Sequence, residues 1–111
     1  MSENTTTVPV VSIEEVEAII ADGSRTILDV NSAESYANGH VPGALHLDKT
    51  NLVAGLPADK SAALVFYCGS PTCQAAPNAA RTAASLGYEN VAVLSAGISG
   101  WTEAGKPVET V

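Results

Sequence analysis

Short apolar runs alternate with helix-patterned segments along the whole chain, and that alternation leaves few folds open. Thr26–Val30 is an apolar run suited to a buried parallel strand, and Leu64–Tyr67 and Val91–Leu94 read as strands too. Two briefer strands are expected at Val8–Val11, with Pro9 at its start or on an edge, and at Ala44–Leu47. Between them, Ser12 and Glu15 form a capping box, and Ile13, Val16, Ile19 and Ile20 keep helical spacing until Asp22-Gly23. Ser32 caps a short helix over Ala33–Ala37 that stops at Asn38-Gly39, and His40 to Gly43 is a turn. Thr50–Gly55 is weakly helical, and a Pro-bearing connection leads to the Leu64 strand. An Ala-rich helix spans Gln74–Leu86 and ends at Gly87, and a last short helix holds Trp101 before Gly105-Lys-Pro107. Strands alternating with helices predict an α/β domain with a mainly parallel sheet, and right-handed crossovers put helices on both of its faces.

The 111 residues suit one domain, expected over 8–111 behind a polar, Thr-rich flexible tail at 1–7. The content is 46% hydrophobic but only 5% aromatic, which argues against disorder and for a core of Ala, Val, Leu and Ile. No apolar run reaches the roughly 18 residues of a membrane span. The polar start has no basic cluster before an apolar stretch, so no signal peptide is read and the cytoplasm is the expected compartment. Twelve acidic against five basic residues give a net charge of −7, which disfavours nucleic acid and membrane surfaces as partners. A monomer is the expectation.

The chemistry concentrates in Leu64–Ala84, where a cysteine ends a strand, a Gly- and Pro-containing loop follows, and a helix begins. Ligands of open parallel sheets bind beyond the carboxyl ends of the strands, and Cys68 sits there by position. The amides of Gly69, Ser70, Thr72, Cys73 and Gln74 can converge on whatever its sulfur carries, and the helix N-terminus adds positive field. Both favour thiolate over thiol and make Cys68 the candidate nucleophile. A buried inert thiol is the plain alternative, but that fate suits a cysteine inside the apolar run better than one at its edge.

Here the chain resembles the single-domain rhodanese-like proteins, the thiosulfate and persulfide sulfurtransferases. ILDVNSAESYANGHVPGALHL is similar to that family's strand, Asp-Val-Arg element, Glu-Tyr helix and Gly-His-Ile-Pro-Gly-Ala turn. VFYCGSPTC matches its strand-end cysteine and loop, and AARTAASLGYENVAVLSAGISGW its next helix, strand and closing Trp segment. The resemblance covers residues 8–104 and implies a five-stranded parallel sheet, no cofactor, and a ping-pong cycle. Cys68 would take a sulfane sulfur from a small-molecule or thiol-bound donor, become a persulfide, and pass the sulfur to a thiophilic acceptor. A backbone amide ring suits the anionic outer sulfur, with Ser70 and Thr72 as further donors or as ordinary turn residues.

Cys68 to Cys73 is a six-residue loop, as in the family's sulfurtransferases. Its phosphatase relatives have a cysteine, five residues and an arginine, and that arginine position is Gln74 here, which cannot clamp an oxyanion. Cys73 replaces a frequent loop arginine, and Asn31 stands where Arg commonly follows Asp-Val, so thiosulfate activity is expected to be weak. Cys68 and Cys73 also admit a rival reading, a thiol–disulfide or peroxide-responsive protein, if the loop brings their sulfurs together. A non-catalytic binding module is the third. His40 is expected to hold its turn, Asp29 to anchor a loop amide, Arg81 to lie at the surface, and Tyr67 and Trp101 to pack with bonded polar ends. No metal site is expected, because no histidine pair accompanies the two cysteines.

Overall fold

The computed structural model describes residues 8–48, 51–70 and 72–110, so the expected tail at 1–7 and its boundary lie outside the described residues. Strands β1 (Val10–Val11), β2 (Thr26–Asp29), β3 (Leu45–His46), β4 (Ala63–Tyr67) and β5 (Asn90–Leu94) form one sheet in the order β1-β5-β4-β2-β3. Every pairing is parallel. The helices are α1 (Ile13–Asp22), α2 (Ala33–Asn38), α3 (Leu52–Gly55), α4 (Ala75–Ser85) and α5 (Gly97–Glu103). The architecture is the expected α/β one.

Each helix starts or stops for a local reason. The Ser12 hydroxyl accepts from the Glu15 amide while the Glu15 carboxylate takes the Ser12 amide, closing the capping box at the head of α1. Gly23, left-handed at φ 66°, ends that helix and returns its amide to the Ile19 carbonyl. Ser32 caps α2 by accepting from the Ser35 amide. In α4, Pro77 is the third residue, inside the first turn where its missing N–H costs nothing.

The central strands are buried on both sides, which is why their sequences read as unbroken apolar runs. Leu64, Phe66 and Cys68 face one side with Leu28, Val30, Val91 and Val93, under the alanines of α4 at 76, 79, 80 and 83. Val65, Tyr67, Ile27, Ala92 and Leu94 face the other side, under Val16 and Ile19 of α1 and Trp101 of α5. Helices therefore cover both faces, and alanine side chains let α4 lie close to the sheet. Both edge strands are two residues long, which blunts their unpaired backbone against further pairing.

The carboxyl edge of the sheet is locked by a buried polar pair. Asp29, with no exposed surface, ends β2 beside Tyr67 at the end of β4. The Tyr67 hydroxyl donates to Asp29 Oδ2 at 2.6 Å and accepts from the Val41 amide at 3.0 Å. Asp29 Oδ1 accepts from the Asn31 amide at 2.8 Å, the loop anchor expected of it. Trp101 donates through Nε1 to the Pro107 carbonyl, so both aromatic anchors have bonded polar ends. His40 holds its turn by donating through Nδ1 to the Tyr36 carbonyl at 2.8 Å while stacking on the Tyr36 ring.

Burial, then the hydrogen bond to Asp29 and its charge, hold the Tyr67 phenol well above its ordinary value. A raised folded-state value means its contribution is complete below about pH 10 and is lost as pH rises beyond that. Tyr67→Phe leaves Asp29 Oδ2 without its donor and the Val41 amide without its acceptor, at an expected cost of about 2–4 kcal/mol in urea denaturation. The same substitution should flatten the alkaline loss of stability.

Candidate functional site

Cys68 follows the last residue of β4, the middle strand, at the carboxyl edge of the sheet, and only 3% of it is exposed. The loop after it rests on the segment that follows β5. The Cys68 and Gly69 carbonyls accept from the Ile98 and Ser99 amides, both at 2.9 Å, so the first turn of α5 grips the loop backbone. Gly97 makes that grip possible. A Cβ there would lie 2.8 Å from the Ser70 nitrogen and 2.9 Å from the Cys68 carbonyl oxygen, and its φ of 67° already favours glycine.

Farther along, the Cys73 amide donates to the Ser70 carbonyl at 3.0 Å, closing a turn. The Ser70 and Thr72 hydroxyls bond each other at 3.1 Å. That turn sets the Cα atoms of Cys68 and Cys73 6.3 Å apart, and their sulfurs are joined in a disulfide. The alternative the sequence left open is thus decided in favour of proximity: Cys73 points at Cys68. It is half-buried and packs on the apolar cluster under α4.

All the expected site residues come together in this one loop, but their amides differ in availability. That of Cys73 is taken by Ser70, whereas those of Gly69, Ser70, Thr72 and Gln74 have no acceptor among the described residues. Gln74 is exposed and immediately precedes α4, whose N-terminus carries no side-chain cap. Loop amides and a helix N-terminus carry partial positive charge, and both adjoin the two cysteines along the chain. A small cleft of about 50 Å³ opens beside the disulfide, between Ser70, Gln74, Pro77 and Ser95. It has room for an atom or a small anion next to Cys68. The larger groove, about 410 Å³ lined by Arg25, Pro42 and Glu109, lies away from the cysteines and touches none of the site residues.

No arginine enters the site. Arg81 is exposed and bonds Asn78 on its own helix, as expected of a surface residue. Asn31 is the neighbour instead: its Oδ1 would be 3.6 Å from a Cβ on Gly69. Its backbone carbonyl accepts from His46 Nε2 at 2.8 Å, so a histidine without an expected role steadies the strand end beside the loop. Sequence reasoning also missed Gly97 as a loop-positioning residue. The signal was a glycine three residues after Leu94, the end of β5, where the chain turns into α5. No group of three or more metal-ligating side chains occurs among the described residues.

A rhodanese-like domain model matches residues 12–104 of the chain. An HTH-type transcriptional regulator of Mycobacterium tuberculosis is 38% identical over 90 residues, which are 78% of this chain and 38% of the regulator. The thiosulfate sulfurtransferase GlpE of Shewanella oneidensis is 30% identical over 96 residues, 84% of this chain and 91% of that protein. The solved structure of the human single-domain sulfurtransferase TSTD1 superimposes with a TM-score of 0.75 at 27% identity, covering 87% of this chain and 97% of the other. The chain therefore spans under half of the regulator and nearly all of the sulfurtransferases.

Two glycine substitutions separate the loop contact from ordinary backbone strain. Gly105 has a similar φ of 78° but open space around it, so Gly105→Ala should cost about 1 kcal/mol. Gly97→Ala must also push back the 68–70 backbone and should cost at least about 2 kcal/mol more. Urea denaturation of both variants measures the difference.

Proposed function

The chain belongs to the rhodanese-like domain family, and from that premise we propose that it is a sulfurtransferase whose reduced Cys68 carries a sulfane sulfur as a persulfide. The observation that carries the reading is the position of Cys68 at the end of the middle strand, under a loop with available amides and before an uncapped helix. The Cys68 thiolate attacks the sulfane sulfur of a donor R–S–SH, the S–S bond breaks, and R–S⁻ leaves. The outer sulfur of the persulfide then holds the negative charge, which the amides of Gly69, Ser70, Thr72 and Gln74 are suited to share. An acceptor thiolate removes that sulfur and regenerates Cys68.

The absence of a cation in the loop bears on the donor. A dianion such as thiosulfate gains most from arginines, and Asn31 and Cys73 offer none, so a singly charged persulfide on a small thiol is the favoured substrate class. The small cleft agrees, since it admits the terminal sulfur of a donor and not its bulk. Gln74 in place of a clamping arginine speaks against phosphate ester chemistry. The reaction needs Cys68 reduced, and so the reading carries a cytoplasmic setting with it.

Intact mass of the reduced Cys73→Ser variant after brief treatment with donor tests the proposal. It should gain the mass of a single sulfur, lose it to cyanide, and gain nothing when Cys68 is also changed to Ala. Glutathione persulfide should load at least about tenfold faster than thiosulfate, as expected for a loop without a basic residue. A variant that gains no sulfur from either donor contradicts the reading.

A further inference from the structure

The disulfide identifies a partner for the persulfide within the protein itself. We propose that Cys73 resolves the Cys68 persulfide and releases hydrogen sulfide, which makes the protein a dithiol-dependent persulfide reductase; this rests on the sulfur-carrier reading of Cys68. In the structure the sulfur of Cys73 is bonded to Sγ of Cys68, the atom that becomes the inner sulfur of the persulfide. The fold thus delivers Cys73 to the inner sulfur. Attack there by the Cys73 thiolate forms the Cys68–Cys73 bond, breaks the bond from Cys68 to the outer sulfur, and expels that sulfur as HS⁻.

The step balances without an outside oxidant. The sulfane sulfur is reduced to sulfide, and the two thiols are oxidised to the disulfide. A dithiol reductant then restores both cysteines by thiol–disulfide exchange, and the cycle repeats. Over a turnover, R–S–SH and a dithiol give R–SH, hydrogen sulfide and the cyclic disulfide of the reductant.

Geometry favours the internal thiol over an external one. The turn closed by the Cys73 amide on the Ser70 carbonyl and the grip of the Ile98 and Ser99 amides on the Cys68 and Gly69 carbonyls hold both cysteines within bonding reach. Such an intramolecular attack has a large effective concentration. An external acceptor must reach the outer sulfur through a cleft of about 50 Å³ beside Cys68, which is itself only 3% exposed. HS⁻ is also a weaker base than an alkyl thiolate, and weaker bases leave faster in exchange reactions.

The test treats the reduced, desalted protein with an equivalent of glutathione persulfide and follows intact mass together with sulfide trapped by a bimane. The wild type should end lighter by two hydrogens and release an equivalent of sulfide, and added dithiothreitol should give repeated turnover. Cys73→Ser should keep the extra sulfur and release sulfide at least about tenfold more slowly, because the internal nucleophile is gone. Cys73→Ala, run alongside with thermal melting of both variants, separates loss of the thiol from loss of the loop, and Cys68→Ala sets the background decay of the donor. A wild type that keeps the sulfur as long as Cys73→Ser overturns the resolving role while the sulfur carrier stands. Failure of Cys73→Ser to gain sulfur overturns the carrier reading and this one with it. Loss of two hydrogens without sulfide means direct oxidation of the pair and also overturns the proposal.

Discussion

The close approach of two backbone segments at Gly97 is the contact on which the site depends. Residues 68–70 cross the first turn of α5 at distances that exclude any side chain at position 97, and two amides of that turn take the carbonyls of Cys68 and Gly69. With those two carbonyls bonded to α5, the amides of Gly69, Ser70, Thr72 and Gln74 remain without an acceptor among the described residues. A loop stabilised by its own side chains would compete for the same donors. Because the grip comes from the backbone after β5, the neighbour of β4 in the sheet, the loop is only as well placed as the β4–β5 pairing beneath it.

Electrostatics at this site is decided locally. The chain carries a net charge of −7, yet exposed carboxylates more than about 8 Å away are largely screened at physiological salt. The loop amides that follow Cys68 in the chain and the N-terminus of α4 act over a shorter path, beside a buried sulfur. Burial works the other way, because a sulfur 3% exposed loses most of its hydration and prefers to be neutral. The account requires the amides to win that contest. Asp29, buried at the same edge of the sheet, has one carboxyl oxygen bonded by the Tyr67 hydroxyl and the other by the Asn31 amide.

Much of this was legible in the sequence for physical reasons that can be named. Helix starts were readable at Ser12 and Ser32 because capping needs a particular side chain at a particular place. Pro77 bounded α4 because it can occupy only the first turn. The central strands were readable because both faces are covered, whereas β1 is shorter than its apolar residues suggest. Pro9 has no N–H for the ladder, though its carbonyl still takes the Val93 amide at 2.9 Å. Cys68 was found from its place at a strand end. The order of strands across the sheet, the part of Gly97, and the bond from His46 to Asn31 were not readable, since each depends on residues brought together by the crossovers. The six-residue spacing allowed a bond between Cys68 and Cys73 without requiring it; the turn from Ser70 to Cys73 supplies what the spacing lacks.

The central claim is that the loop stabilises a negatively charged sulfur at Cys68 despite its burial. The most direct measurement is the rate of iodoacetamide alkylation of reduced Cys73→Ser as a function of pH, which reports the ionisation of Cys68 alone. A midpoint clearly below the ordinary cysteine value of about 8.5 is predicted. A midpoint at or above that value would mean that desolvation outweighs the amides, and it would contradict the account.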